Sequence, residues 1–462
     1  MCKTKYIVAP WCATNFYEKN KEKRAYIKNE ITTEFFLLED ISALIWKKIM
    51  EKSSYTEILE CALNYKESKE DIDSFISELK ELNLIVETQQ TINTNQGLLT
   101  LSISNKDVDC TNAEFENSMY SWFGKNKILA KLFIETTYRC NMNCIHCYNT
   151  KHLNNIDIEF EKLKQVIDDA YKEGLFSICL SGGETTISKD FLKIAKYIRE
   201  KNISLEIYTN GLVFYNNEEL IDEIANLYPS KVSLSLYSMK PEIHDKITQV
   251  SGSQKKILTV IKMLKEKNIR TEVKCFLTKY NYLEFVEVAR FAEKNNINVM
   301  FDDKFFDNGV SDNSCFEVDD EQVYLIYKNF YEIFNENIPQ KYKDKYSEIE
   351  NKQPCQAGHF TLAIKPNMQI QMCNFFNEIV GDLNKNSIIE IWQEKNSECR
   401  KLTEWRNIRT KDLKECYQHE YCKFCFYCVG FSIAENNYLG KSERFCRVAK
   451  AKYRVMKEHK RI

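Results

Sequence analysis

Three cysteines spaced as Cys140-x3-Cys144-x2-Cys147 follow an apolar run, and they set what this 462-residue chain must fold around. The spacing gathers three thiolates into one short loop, enough to hold an iron–sulfur cluster from a single segment. Four thiolates would close a cubane, whereas three leave one iron open to another ligand. Zinc is the competing use of clustered cysteines, and it is usually written as CxxC pairs with a second pair or histidines at defined distance. His146 lies inside the loop, but its neighbours suit a cluster better than a zinc ion.

Composition narrows the setting. Sixty-five Lys and Arg against 67 Asp and Glu leave a net charge of −2, so no global basic field recruits nucleic acid. No apolar run is long enough to span a bilayer and no signal-like segment opens the chain, so a cytoplasmic protein without a membrane partner is expected. In that compartment the 18 cysteines are not a disulfide framework. The scattered ones, such as Cys12, Cys61, Cys179, Cys275 and Cys399, read mostly as small buried apolar residues, and the clustered ones as metal ligands.

The periodicity divides the chain into four parts. Residues 1–90 read as a small domain. Ile31–Leu38 suggests a strand and Ile41–Ile49 a helix, and Ser54-x2-Glu57 is a capping box for a second helix. Ser68 opens a third helix with the stripe Ile72, Phe75, Ile76, Leu79 and Leu82, and Leu84–Val86 supplies a closing strand. Residues 91–125 read as a polar linker with one added strand at Leu98–Ile103. Over 126–335 strands and helices alternate, which calls for parallel strands with right-handed crossovers, about six βα units in a partial TIM-like barrel. Ligands of such a barrel sit at the strand C-termini. Residues 336–462 hold Cys355, Cys373, Cys416, Cys422, Cys425, Cys428 and Cys446, with a hairpin expected between the first two.

The stretch Leu132–Tyr148 resembles the cluster loop of the radical SAM superfamily, and other motifs follow it in order. Ser181-Gly182-Gly183-Glu184 resembles the family's GGE segment and Tyr208-Thr209-Asn210-Gly211 its TNG segment. Ser235 matches a strand position that contacts the S-adenosylmethionine (SAM) ribose, and Lys274 one that offers a basic partner to its carboxylate. The resemblance implies a [4Fe–4S] cluster on Cys140, Cys144 and Cys147, with SAM bound through Gly182, Gly183, Glu184, Thr209, Asn210, Ser235 and Lys274. It further implies reduction of SAM to a 5′-deoxyadenosyl radical, inside a partial (β/α)6 barrel of α/β class.

The N-terminal part resembles, in shape, the winged-helix peptide-recognition element of enzymes that modify ribosomally made peptides. A DNA-binding winged helix is the other reading, but the region lacks an Arg/Lys-rich recognition helix. The C-terminal cysteines resemble the SPASM extension, whose cysteines hold auxiliary clusters. Cys416-x5-Cys422-x2-Cys425 fits the later part of its pattern, while Leu413 stands where the first cysteine is expected and Cys428 is an additional thiol that could substitute. Seven cysteines fall short of the eight that two fully ligated clusters need, so one or two auxiliary clusters are expected.

Together these resemblances imply a maturase of the sactipeptide or ranthipeptide kind. Its substrate is a precursor peptide with a leader segment, its electron donor a flavodoxin or ferredoxin, and its product a thioether formed from cysteine. The alternatives are sulfatase-maturase-like oxidation or epimerisation of a side chain, and, in another class, a zinc-binding regulatory or adaptor protein.

Overall fold

The computed structural model describes residues 5–87, 110–148, 156–303, 316–334, 350–376, 378–395, 399–416 and 421–459. The N-terminal part contains β1 (Tyr6–Val8), β2 (Cys12–Lys19), β3 (Glu22–Asn29) and β4 (Phe35–Glu39). Helices Asp40–Met50, Tyr55–Leu63 and Lys69–Glu81 follow, and then β5 (Ile85–Glu87). Strands β2, β3 and β4 form an antiparallel sheet, and β1 pairs with β5. Capping boxes at Ser54/Glu57 and Ser68/Asp71 satisfy helix N–H groups that would otherwise lack partners. Ile72, Ile76 and Leu79 bury their stripe with Trp46, Ile49 and Ile58. The hairpin joining β2 to β3 turns at Asn20 and Lys21, both at positive φ, as a two-residue turn between right-twisted strands requires.

The expected linker is not plain: residues 110–125 form the helix Cys110–Lys125. Met119 and Phe123 of this helix pack with Tyr17, Tyr26 and Phe176, joining the N-terminal sheet to the barrel. The strand expected at Leu98–Ile103 lies outside the described residues.

The barrel strands are β6 (Lys131–Glu135), β7 (Ser177–Ser181), β8 (Ser204–Thr209), β9 (Lys231–Ser235), β10 (Thr271–Phe276) and β11 (Asn298–Asp302). All five successive pairings are parallel. After them come β12 (Thr361–Ile364), β13 (Gln369–Gln371) and β14 (Ile379–Asp382). The expected hairpin between Cys355 and Cys373 is β12–β13, and β12 also lies parallel to β6, extending the sheet to nine strands. Lys365, just past β12, pairs with Glu135 at 2.7 Å, both side chains nearly or fully buried.

Period-two alternation sorts the barrel residues. Leu132, Ile134, Ile178, Leu180, Leu205, Ile207, Val232, Leu234 and Val273 join the helices in one apolar core. Their alternates Phe133, Cys179, Glu206, Tyr208, Ser233, Ser235, Glu272 and Lys274 line the opposite, inner face. Near its floor, charges alternate from strand to strand: Lys131 meets Glu206 at 2.7 Å, and Lys231 meets Glu272 at 3.0 Å. Burial opposes the Glu206 charge, but Lys131 and Lys231 outweigh it and hold its carboxyl down at about 2.

The N-terminal part docks beneath this floor through polar contacts. Asn15 donates to the carbonyls of Tyr171 and Leu175, and the Ser204 hydroxyl donates to Glu30 at 2.5 Å. Buried Arg199 donates to Leu227, Ile203, Pro10 and Cys12 carbonyls at 2.6–3.3 Å, tying the two parts together. Arg199→Ala should therefore cost roughly 3 kcal/mol or more, because several buried carbonyls lose their donor at once. Chemical denaturation reads the loss, and limited proteolysis should cut between residues 87 and 110 faster than in the wild type.

Candidate cluster and cofactor site

The cysteine loop lies across the C-terminal ends of neighbouring barrel strands, and backbone contacts hold it there. Thr136 N donates to Ser181 O at 2.9 Å, Gly183 N to Thr137 O at 2.8 Å, and Glu184 N to Arg139 O at 2.8 Å. These contacts explain both glycines. A Cβ on Gly182, at φ 133°, would meet Thr137 O at 2.5 Å, and one on Gly183 would meet Arg139 O at 2.3 Å. The backbone that this turn approaches so closely is the cysteine loop. Its N–H groups are spent there, so what the turn can offer an amine is carbonyl oxygen.

Further contacts fix the rest of the loop. Arg139 pairs with Asp157 and donates to Ile187 O at 3.0 Å. Asn143 and Ile145 donate to the carbonyls of Thr248 and Ile247, at the end of the helix Pro241–Thr248. The His146 ring stacks on Phe276 at 4.8 Å between centroids and meets Tyr237 edge-on at 4.8 Å, so it plugs the top of the barrel rather than pointing to solvent. Burial, aided by nearby His244, pushes its pKa down to about 4.

Burial raises the thiol pKa values of Cys140, to about 11, and of Cys144, and the charges of their fellow loop cysteines add to the effect. Cysteine sulfurs gathered in one loop are the donors that an iron–sulfur group takes. Among the described residues no three His, Cys, Asp or Glu side chains are already gathered around a single metal position.

The other expected site residues fall into layers. Glu184 is buried, and its carboxylate accepts from Thr186 N at 3.0 Å, Thr186 Oγ1 at 2.5 Å, Thr209 Oγ1 at 2.6 Å and Asn210 N at 2.6 Å. Glu184, Thr209 and Asn210 thus form one knot at the ends of β7 and β8. Ser235 ends β9 in register with Lys274 of β10. Lys274 lies deeper, its Nζ 3.2 Å from the centroid of the Tyr208 ring. Burial pulls its pKa down to about 8, a shift that Cys179 and Glu272 offset only in part.

The C-terminal cysteines separate into two groups. Cys355 and Cys428 lie beside Cys373, whose thiol burial pushes up, and Phe376 N donates to the Cys373 carbonyl at 3.1 Å. Cys428 stands at the N-cap position of the helix Val429–Ala434 without a side-chain cap bond, and burial pushes its thiol up to about 11. A Cβ on Gly430 would sit 1.9 Å from Phe375 O, so only glycine lets these two cysteine-bearing turns meet. Elsewhere Cys416, Cys425 and Cys446 line one cavity with Tyr421 and Ala449. The Cys422 side chain lies outside the described residues. Leu413 is buried in the core. Of the scattered cysteines, Cys12, Cys179, Cys275 and Cys399 are buried.

A family model described as the radical SAM superfamily matches residues 134–292, a span that includes the cysteine loop and the knot beside it. The match to that superfamily covers these residues, which run from the end of β6 through β10. The probable GTP 3',8-cyclase of Thermococcus kodakarensis is 32% identical over 136 residues, which is 29% of this chain but only 43% of that protein. The chain thus spans less than half of that relative. The antilisterial bacteriocin subtilosin biosynthesis protein AlbA of Bacillus subtilis is 24% identical over 307 residues, 64% of this chain and 65% of that protein. Among solved structures, Streptococcus suis SuiB bound to precursor peptide SuiA aligns with a TM-score of 0.57 at 15% identity, covering 96% of this chain and 99% of SuiB. That likeness extends the shared fold from the barrel to the N-terminal part and the cysteine-rich tail.

The inner charge row escaped the motif reading, and so did the place of the Tyr208 ring over Lys274. Their signal is the polar alternation Lys131-x-Phe133-x-Glu135, Glu206-x-Tyr208 and Glu272-x-Lys274 within otherwise apolar strands. Gly183→Ala should lower the melting temperature and the iron retained after anaerobic reconstitution together, since the added carbon pushes against the cysteine loop itself. A variant that melts as the wild type and loads full iron would contradict that account.

Proposed function

We propose that this chain is a radical SAM peptide maturase acting on a ribosomally made precursor, with thioether formation from cysteine as its chemistry. Cys140, Cys144 and Cys147 would hold the [4Fe–4S] cluster. Gly182–Glu184, Thr209, Asn210, Ser235 and Lys274 would face SAM. Bound together, cluster and SAM supply a 5′-deoxyadenosyl radical for hydrogen abstraction. The observation that carries the reading is the cysteine loop fastened across the strand ends, above an inner face of aromatic and charged side chains.

The chain's own residues then have distinct tasks. The His146, Phe276 and Tyr237 rings shield the upper barrel from water. The Lys274 ammonium would meet the SAM carboxylate. The Cys355, Cys373 and Cys428 group and the Cys416, Cys425 and Cys446 group would each hold an auxiliary cluster, with Cys422 completing the second. The reducing electron would come from a flavodoxin or ferredoxin. The N-terminal sheet would take the leader as an added strand, which raises the local concentration of the attached core peptide.

Replacing Cys140, Cys144 and Cys147 together by Ala should abolish formation of 5′-deoxyadenosine while leaving part of the iron in place. Incubation of the wild type with a cysteine-containing precursor should give a product lighter by two hydrogens whose cysteine resists alkylation. Full 5′-deoxyadenosine output from the triple variant would refute the cluster, and a product that still alkylates at every cysteine would refute the thioether.

Lys274 gives a pH test. Its ammonium attracts a carboxylate only while protonated, so SAM affinity should fall as pH rises through about 8. Lys274→Gln should bind more weakly and lose that dependence, as calorimetric titration across the range can show.

A further inference from the structure

Two side chains from the barrel strands reach the sulfur atoms of the cysteine loop. Asn210 is buried, and its Nδ2 donates to Asn141 Oδ1 at 2.6 Å and to Cys140 Sγ at 3.8 Å. Its orientation is fixed from both sides. Asn210 Oδ1 accepts from Leu212 N at 3.0 Å, and Asn210 N donates to Glu184 at 2.6 Å. A flipped amide would turn its carbonyl toward the thiol and lose the Leu212 bond. One strand along, the Tyr237 hydroxyl lies close enough to the Cys144 thiol to favour its thiolate. Tyr237 is equally held: its backbone N donates to His244 Nδ1 at 3.1 Å, its ring meets His146 edge-on, and Ser235 hydrogen-bonds its hydroxyl.

We propose that Asn210 and Tyr237 are positioning residues whose hydrogen bonds to the Cys140 and Cys144 sulfurs set the reduction potential of the cluster those cysteines hold. The inference rests on the cluster reading of Cys140, Cys144 and Cys147 and assigns Asn210 a role toward the cluster itself. The physical ground is charge. Reduction adds an electron to a group already carrying thiolate charge, and a donor aimed at sulfur stabilises the more negative state. Removing the donor therefore makes reduction harder, without removing a ligand. Because Asn210 hangs from Glu184, the conformation of the Gly182–Glu184 turn is relayed to Cys140 through two hydrogen bonds.

The test uses the full chain, reconstituted anaerobically, with iron and sulfide counted and the potential read by EPR-monitored redox titration. The Cys140/Cys144/Cys147 triple Ala variant identifies which signal belongs to this cluster. If the wild type has no signal that vanishes in that variant, the cluster reading itself fails, which is a separate outcome. Tyr237→Phe and Asn210→Leu should load iron as the wild type does and titrate at more negative potential, with larger shifts combined than singly. Asn210→Asp keeps the shape and the Leu212 bond but sets a carboxylate beside sulfur, so it should shift furthest. Unchanged potentials in loaded Tyr237→Phe and Asn210→Asp would overturn the proposal. So would loss of the cluster from every variant, which would make both residues purely structural.

Discussion

Two peptide N–H groups, on Gly183 and Glu184, donate to carbonyls of the cysteine loop, and the arrangement of the site follows from that contact. It forces glycine at the turn, draws Cys140 over β7 and β8, and leaves Glu184 facing inward. The Glu184 carboxylate is costly to bury without partners, and here it has donors on both oxygens. It therefore serves as a strut between two strand ends. A short sequence string can thus hold two elements at once: the same turn that ends β7 builds the seat of the cysteine loop.

The opposite end of the barrel solves a different problem. An open floor would expose the Lys131, Glu206, Lys231 and Glu272 row to exchange with water. Alternation of sign from strand to strand lets each charge find a partner with little side-chain freedom lost, and the docked N-terminal part covers the ends. Arg199 is the bolt between them.

Much of this was legible in residues. The six barrel strands and their helices are written in apolar runs bounded by turns, and the three N-terminal helices in their caps and stripes. The first hairpin was not, because Asn20-Lys21 sits in a charged stretch without the glycine that usually marks such a turn. The helix Cys110–Lys125 was hidden by polar residues on its exposed side. The division of the C-terminal cysteines could not be read from spacing at all: Cys425 lines the cavity with Cys416 and Cys446, while Cys428, three residues on, lies near Cys355.

The pairing of β12 with β6 carries a consequence for how this chain can be divided. The strand that delivers the cysteine loop is flanked on one side by β7 and on the other by a segment more than two hundred residues later. A chain shortened after the barrel would present β6 as a bare edge, with backbone donors and acceptors open to any other strand, and Glu135 buried without its cation. Such a fragment would be a template for aggregation and not a smaller working enzyme. β12 closes the seam beside the strand that leads into the cysteine loop, so the loop gains its final walls only after Thr361–Ile364 has been made.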